Sequence, residues 1–208
     1  MSKKFWIIMG DVVGSQATNQ KELGKSLTTL IKEVNQHFQD AIISPLTVTL
    51  GDEFQGVVTN ESAGKSIIIW SEEWLLKEQL NYKMRYVLHH GTIATPINKK
   101  IAHGMMGEGL TVARQSLEKM KSEKIRYKVL GTEKDETINK IWVLFQSVSD
   151  DWKPKDRNLV IDFLTLQDYK QVGEKNKKTT SQMWKREKSL KIKEYNIIKE
   201  LLLSGCNG

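Results

Sequence analysis

The chain reads as an α+β protein, with an antiparallel sheet covered by helices and a small all-α module at its C-terminal end. Three observations predict this. Short apolar runs of strand type alternate with longer stretches of helical periodicity as far as Leu130. A turn signal, Gly51-Asp52-Glu53, separates two of the strand runs. The charge also breaks sharply near residue 150. The 208 residues carry a net +7, yet thirteen basic and seven acidic residues lie between Trp152 and Gly208, leaving +6 there and +1 on the first 151.

Phe5–Gly10 is a continuous apolar run with a branched centre, as in a strand buried on both faces. Leu23, Leu27, Leu30, Ile31, Val34 and Phe38 recur at helical spacing. Pro45 is expected to break the chain, with Leu46–Leu50 and Phe54–Thr59 forming the hairpin strands. Ser62–Leu80 reads as a helix, with Trp70 and Trp74 on one face. Tyr82–Thr92 reads as a strand, Gly109–Met120 as a helix, Arg126–Leu130 as a short strand and Glu133–Val148 as a helix. The order β-α-β-β-α-β, then α-β-α, matches the ferredoxin-like split unit with additions, and predicts helices on one sheet face. The segment Ser149–Asp156 contains Pro154 and mixed charges, so the boundary is set there: residues 1–150 as the α+β domain and 151–208 as the basic module.

The length allows a real hydrophobic core. A composition of 39% hydrophobic and 27% charged residues excludes disordered and collagen-like classes. The single cysteine, Cys206, excludes an internal disulfide and a cysteine-based zinc site, and points to a reducing, cytoplasmic compartment. No apolar stretch reaches the roughly 18 residues that span a bilayer, so no membrane association is expected.

Two motifs carry chemistry. In Gly10-Asp11-Val12-Val13-Gly14-Ser15 a buried strand exits into a glycine turn. In Leu50-Gly51-Asp52-Glu53-Phe54-Gln55-Gly56 an acidic pair occupies a hairpin tip. In a split β-α-β unit these strands are neighbours, so Asp11 and Asp52 project from adjacent strand ends. Two carboxylates at one edge repel unless a cation lies between them. A hard divalent ion, Mg²⁺ or Mn²⁺, suits oxygen ligands and phosphate substrates. Gly14, with Val12 and Ser15, is placed to turn backbone N–H groups toward a phosphate at the start of the following helix. Metal and amides together make a site for a nucleoside triphosphate. Of Glu53 and Gln55, strand alternation is expected to bring only one beside Asp52. His89 and His90 are adjacent in a strand and face opposite ways, so with His103 they read as structural.

Asp-Val-Val-Gly-Ser followed 41 residues later by Gly-Asp-Glu-Phe resembles the class III nucleotidyl cyclases, whose corresponding aspartates hold two Mg²⁺ ions. Met84–Gly91 resembles their Leu-Arg-x-Gly-Ile-His-x-Gly strand, and Gly107–Arg114 their Gly-Asp-x-Val-Asn-x-Ala-x-Arg helix start. The closer match is to the SatD family, which joins a cyclase-like domain to a C-terminal helix-turn-helix. The resemblance implies that Thr111 and Arg114 hold the transition-state positions, with Thr111 in place of an Asn and Arg114 three residues on rather than four. It places Val48 where the purine-selecting Lys stands. It also implies a homodimer, because cyclase sites form between two chains. The Gly-Asp-Glu-Phe of diguanylate cyclases is a more distant likeness, since Gly14-Ser15-Gln16 lacks that family's residues.

The tail reads as four helices: around Leu159–Leu164, Tyr169–Lys175, Thr180–Leu190 with Thr179 or Thr180 as N-cap, and Ile192–Leu202. Gly173 and Met183 are spaced to pack across a helix-turn-helix, with Asn176 tolerating a left-handed turn. Thr180, Ser181, Gln182, Lys185 and Arg186 are then expected to face DNA. The expected protein is a regulator that binds a nucleotide or Mg²⁺ and DNA. The alternatives are an active Mg²⁺-dependent nucleotidyl cyclase or transferase, and a catalytically degenerate dimerisation domain with a protein-binding helical module.

Overall fold

The structure is a computed structural model that describes residues 3–15, 20–49 and 51–204. Five strands, β1 (Lys4–Val12), β2 (Ile42–Val48), β3 (Glu53–Val58), β4 (Met84–Thr92) and β5 (Tyr127–Leu130), form one sheet in the order β2-β3-β1-β4-β5. The helices are α1 (Gln20–His37), α2 (Glu61–Lys77), α3 (Glu108–Glu123), α4 (Asp135–Ser149), α5 (Arg157–Leu166), α6 (Tyr169–Lys175), α7 (Thr180–Ser189) and α8 (Ile192–Leu203). The first four strands are antiparallel in the ferredoxin-like order, and β5 adds in parallel beside β4. The fold is therefore α+β with a C-terminal helical segment, as the sequence predicts, but the sheet is mixed rather than antiparallel because β5 joins in parallel.

The helices do not all lie on one face. Ile8, Val12, Phe54, Val58, Tyr86 and Leu88 bury against α1, α2 and α4. Ile7, Met9, Val57 and Val87 point the other way and bury against Leu110, Ala113, Leu117 and Met120 of α3. A central strand that is apolar at every position needs cover on both sides, and the apolar run of β1 is that signal. Glycine lets α3 approach: a Cβ on Gly109 would lie 2.7 Å from the Gly91 carbonyl carbon of β4.

β2 begins at Ile42, so Pro45 interrupts no strand. The strand lies at the sheet edge, where a missing N–H costs no ladder bond, and its register shifts between Ser44 and Thr47. Leu50, the expected end of this strand, lies outside the described residues.

α4 ends at Ser149, where the boundary was expected, but the tail does not keep to itself. Val160, Phe163, Val172, Met183, Leu190 and Ile192 form a small core of their own. Tyr195, Ile198 and Leu202 of α8 instead enter the main core beside Trp142 and Phe145. Tyr195 Oη donates to Glu73 at 3.1 Å, Lys199 pairs with Glu73 at 2.6 Å, and Arg157 donates to the Leu80 carbonyl at 2.9 Å. Among the described residues no helix is long and apolar enough to cross a membrane.

Candidate nucleotide and nucleic-acid sites

The chemistry gathers on the sheet face that α3 crosses. Asp11 is the last residue of β1 on that face. Its register partners are Glu53 on β3 and Arg85 on β4. Directly opposed residues share a face, so Asp11, Glu53 and Arg85 stand in one row. Gln55, two residues after Glu53, follows it onto the same face. The two side chains therefore share a face, contrary to the expectation that strand alternation would bring only one of them beside Asp52: positions two apart in a strand point the same way. The hairpin tip is tied to this row by backbone, since the Val12 N–H donates to the Asp52 carbonyl at 3.1 Å.

Asp11 is 3% exposed and held by a guanidinium fork: Arg85 Nε to Oδ1 at 2.8 Å and Nη2 to Oδ2 at 3.2 Å. Lys121 of α3 lies 3.7 Å from Oδ2. Burial nevertheless raises the Asp11 pKa above the usual carboxylate value, against the pull of Arg85 and Lys121 and with the help of Asp52. Glu53 is raised for the same first reason, with Arg114 and Lys121 opposing and with Asp52 and Asp11 adding to the rise. Three carboxylates thus meet three cations: Asp11, Asp52 and Glu53 against Arg85, Arg114 and Lys121. Arg85 and Lys121 escaped the sequence reading, and Glu53 was left undecided against Gln55. The available signals were the seven-residue step from Arg114 to Lys121, two turns along one helix face, and the strand alternation of residues 53 and 55.

A cavity of about 600 Å³ opens beside this row. Met9 and Gln55 form its floor, Thr111, Arg114 and Gln115 one wall, and the loop around His103–Gly107 another. The loop is pinned to the sheet: Gln55 Nε2 donates to the Ala102 carbonyl and the Ala102 N–H to Thr47 Oγ1. Thr111 and Arg114 therefore line one wall of this cavity together. The Thr111 hydroxyl, however, donates to the Gly107 carbonyl of its own first turn at 3.4 Å. Gly14 adopts the expected left-handed conformation, φ +69°. It does not open α1, which starts at Gln20, and residues 16–19 lie outside the described residues. Val12 turns its side chain into the α1-side core and gives its N–H to Asp52, so it offers nothing to a phosphate. Ser15 lies in the same turn, one residue after Gly14.

The donors fit a hard divalent ion on two counts. They are carboxylate oxygens, and each Asp11 oxygen accepts one Arg85 N–H and retains a second acceptor position. Among the described residues no three His, Cys, Asp or Glu side chains form a metal-holding group. An ion held by Asp11 and Asp52 would have to complete its shell with water and phosphate oxygens. His89 Nδ1 donates to the Leu130 carbonyl, 3.1 Å away, and His90 stacks on Trp6.

In the tail, α6 and α7 form a helix-turn-helix. A Cβ on Gly173 would lie a tight 3.0 Å from the Lys178 carbonyl oxygen and an ordinary 3.6 Å from Met183 Cγ, so α6 and α7 pack closely at this residue. The left-handed residue of the turn is Lys177, φ +53°. Asn176 keeps a negative φ because its amide is used twice, on Asp162 at 2.8 Å and on the Val172 carbonyl at 2.9 Å. Thr179 caps α7 through a capping box with Gln182. Thr180, Ser181 and Lys185 are exposed. Gln182 spends its carbonyl oxygen on the Thr179 N–H, and Arg186 turns back to Asp156 at 2.6 Å.

The SatD family model matches residues 5–201. No curated protein matches the chain in sequence. Among solved structures, a bacterial light-regulated adenylyl cyclase is 11% identical with a TM-score of 0.44, covering 62% of this chain and 76% of that one. The catalytic core of a rhodopsin-guanylyl cyclase with converted specificity, in complex with ATPαS, is 14% identical with a TM-score of 0.37 over 55% and 70%. The guanylyl cyclase Cya2 is 11% identical with a TM-score of 0.36 over 55% and 71%.

Proposed function

We propose that this chain, which belongs to the SatD family, is a regulatory protein that binds a Mg²⁺-nucleotide at the Asp11–Asp52 end of its sheet and DNA through α7. The observation that carries the nucleotide half is the convergence of Asp11, Glu53 and Asp52 near Arg114, which lines the 600 Å³ cavity. Arg114 supplies a fixed cation for phosphate oxygens, and the cavity has room for a base and sugar. A divalent ion there neutralises the phosphates against the carboxylates. Three side-chain cations already offset the three carboxylates, so the ion and the nucleotide arrive as a pair. Calorimetry tests this: Mg²⁺ alone gives no heat of binding, ATP or GTP with Mg²⁺ does, and Asp52→Asn abolishes it. Equal binding by Asp52→Asn refutes the reading.

The DNA half is supported by the helix-turn-helix packing of Gly173 on Met183 and by the exposed N-terminal half of α7. Binding to duplex DNA should weaken steeply with salt, because released counterions supply most of the affinity. A flat salt response counts against it.

A further inference from the structure

We propose that Trp184 is a sequence-reading residue that contacts thymine methyl groups in the major groove. This deepens the DNA reading above and rests on it.

The outward stripe of α7 consists of Ser181, Trp184, Lys185 and Lys188, spaced three, four and seven apart. The opposite face is spent: Met183 and Glu187 are buried within the helix and Leu190 just after it. Trp184 is 41% exposed, in the middle of the helix that a helix-turn-helix lays into the groove. A large indole left in water at that place has a partner to find.

The charges point to what that partner is. Five of the tail's thirteen cations pair with carboxylates within the chain: Lys175 with Asp162, Arg186 with Asp156, Lys191 with Asp151, Lys193 with Glu187 and Lys199 with Glu73. Among the described residues, Lys185 and Lys188 on the stripe, and Lys177 and Lys178 in the turn before it, have no carboxylate at ion-pair distance. Lys153, Lys155, Arg157 and Lys170, earlier in the tail, also form no ion pair with the described residues, but the four around α7 make one cluster on and beside a single exposed helix face, which complements a polyanion.

The way the indole is held then selects the contact. The Lys188 ammonium sits 3.8 Å from the Trp184 ring centroid. It covers one face of the ring, so the indole lies along the helix. An aromatic wedge between base steps needs both faces free. A ring with one face taken offers its other face and its edge, an apolar surface. The apolar feature of the major groove is the C5 methyl of thymine. Lys188, held over the ring, travels with it to the phosphates or to guanine oxygens.

The test uses the full chain and duplexes selected by it from a library with a randomised core of about 20 base pairs, two turns of DNA. The selected duplex is remade with deoxyuridine for thymine at each position in turn, which deletes only the methyl. Affinity is read by fluorescence anisotropy. At one or more positions the wild type should bind the uracil duplex about fourfold more weakly, the value of one buried methyl. Trp184→Ala should bind both duplexes equally. Lys185→Ala should weaken both alike and flatten the salt slope by about one unit. Because Trp184 and Lys185 are exposed, neither variant removes core packing. Uracil and thymine duplexes that bind the wild type equally, a difference that survives in Trp184→Ala, or selected sites without thymine overturn this assignment and leave DNA binding standing. A chain that retains no duplex at low salt overturns both.

Discussion

Arg126→Met is the sharpest test of how β5 is tied to α2 and to the end of α4. Arg126 is 5% exposed at the start of β5. Its Nη1 donates to both Glu72 oxygens, at 3.0 and 2.9 Å, and to the Met84 carbonyl at 3.0 Å. Its Nη2 pairs with Asp150 at 2.9 Å, and the guanidinium lies over the Tyr127 ring. Methionine keeps the apolar stem and removes the charge, leaving the half-buried Glu72 and Asp150 without it. Removing one partner of a buried ion pair costs about 3–5 kcal/mol. Against a usual total of about 5–15 kcal/mol, that is a large share of the stability. The melting temperature of a chain this long falls by about 2–4 °C for each kcal/mol, so a drop of about 6–20 °C is expected. Urea unfolding at neutral pH measures the free energy directly. The double variant Arg126→Met with Glu72→Met should recover part of the loss, because it removes the stranded charge as well. A loss below about 1 kcal/mol, or a double variant equal to the sum of the singles, would show that solvent reaches this cluster and refute the reasoning.

Three further outcomes are expected. Met183→Ala removes a buried side chain from the small tail core and should cost about 2–5 kcal/mol in urea unfolding, with DNA affinity falling in step; an unchanged midpoint would deny that α6 and α7 share that core. Burial lowers the His90 pKa, with Lys4 and His89 adding to it. The folded state therefore binds that proton less readily than the unfolded chain, so stability is full above pH 6.5 and declines as pH falls through 6.5 toward the lower folded value. His90→Phe keeps a ring against Trp6 and should give a shallower fall in melting temperature between pH 7.5 and 5.5; an identical slope shows that another group titrates. Finally, ATP or GTP with Mn²⁺ should yield no cyclic product, since Thr111 is short and bonds its own helix at Gly107. Turnover that disappears in Asp52→Ala would overturn that expectation and favour the enzyme reading.

Much of the fold was legible because periodicity is local. The apolar run of β1, the helical spacing of α1 and the Gly173–Met183 interval each reflect contacts within a single element or a single turn. Asp11 and Asp52 were legible as a pair because the β-α-β-β order alone makes their strands neighbours. Thr111 and Arg114 were placed through the resemblance, and the cavity wall received both. Arg85 was missed, and Glu53 was not separated from Gln55, because their place beside Asp11 depends on register. A one-residue slip would have turned them to the opposite face. Lys121 depends on where α3 crosses the sheet, and that crossing is set by the Gly91–Gly109 approach.

The tail shows the same division. The sequence by itself determined that residues after Trp152 are helical and basic, since composition and period need no partner. Only the tertiary structure decided which cations remain available. Arg186 was expected to face DNA and instead pairs with Asp156, thirty residues earlier, while Trp184 and Lys188, unremarked in the sequence, meet on the outer face of α7. Charge is a property of a residue, but its neutralisation is a property of two residues brought together by the fold. The count of charges could therefore be read from the chain, and the direction in which they act could not.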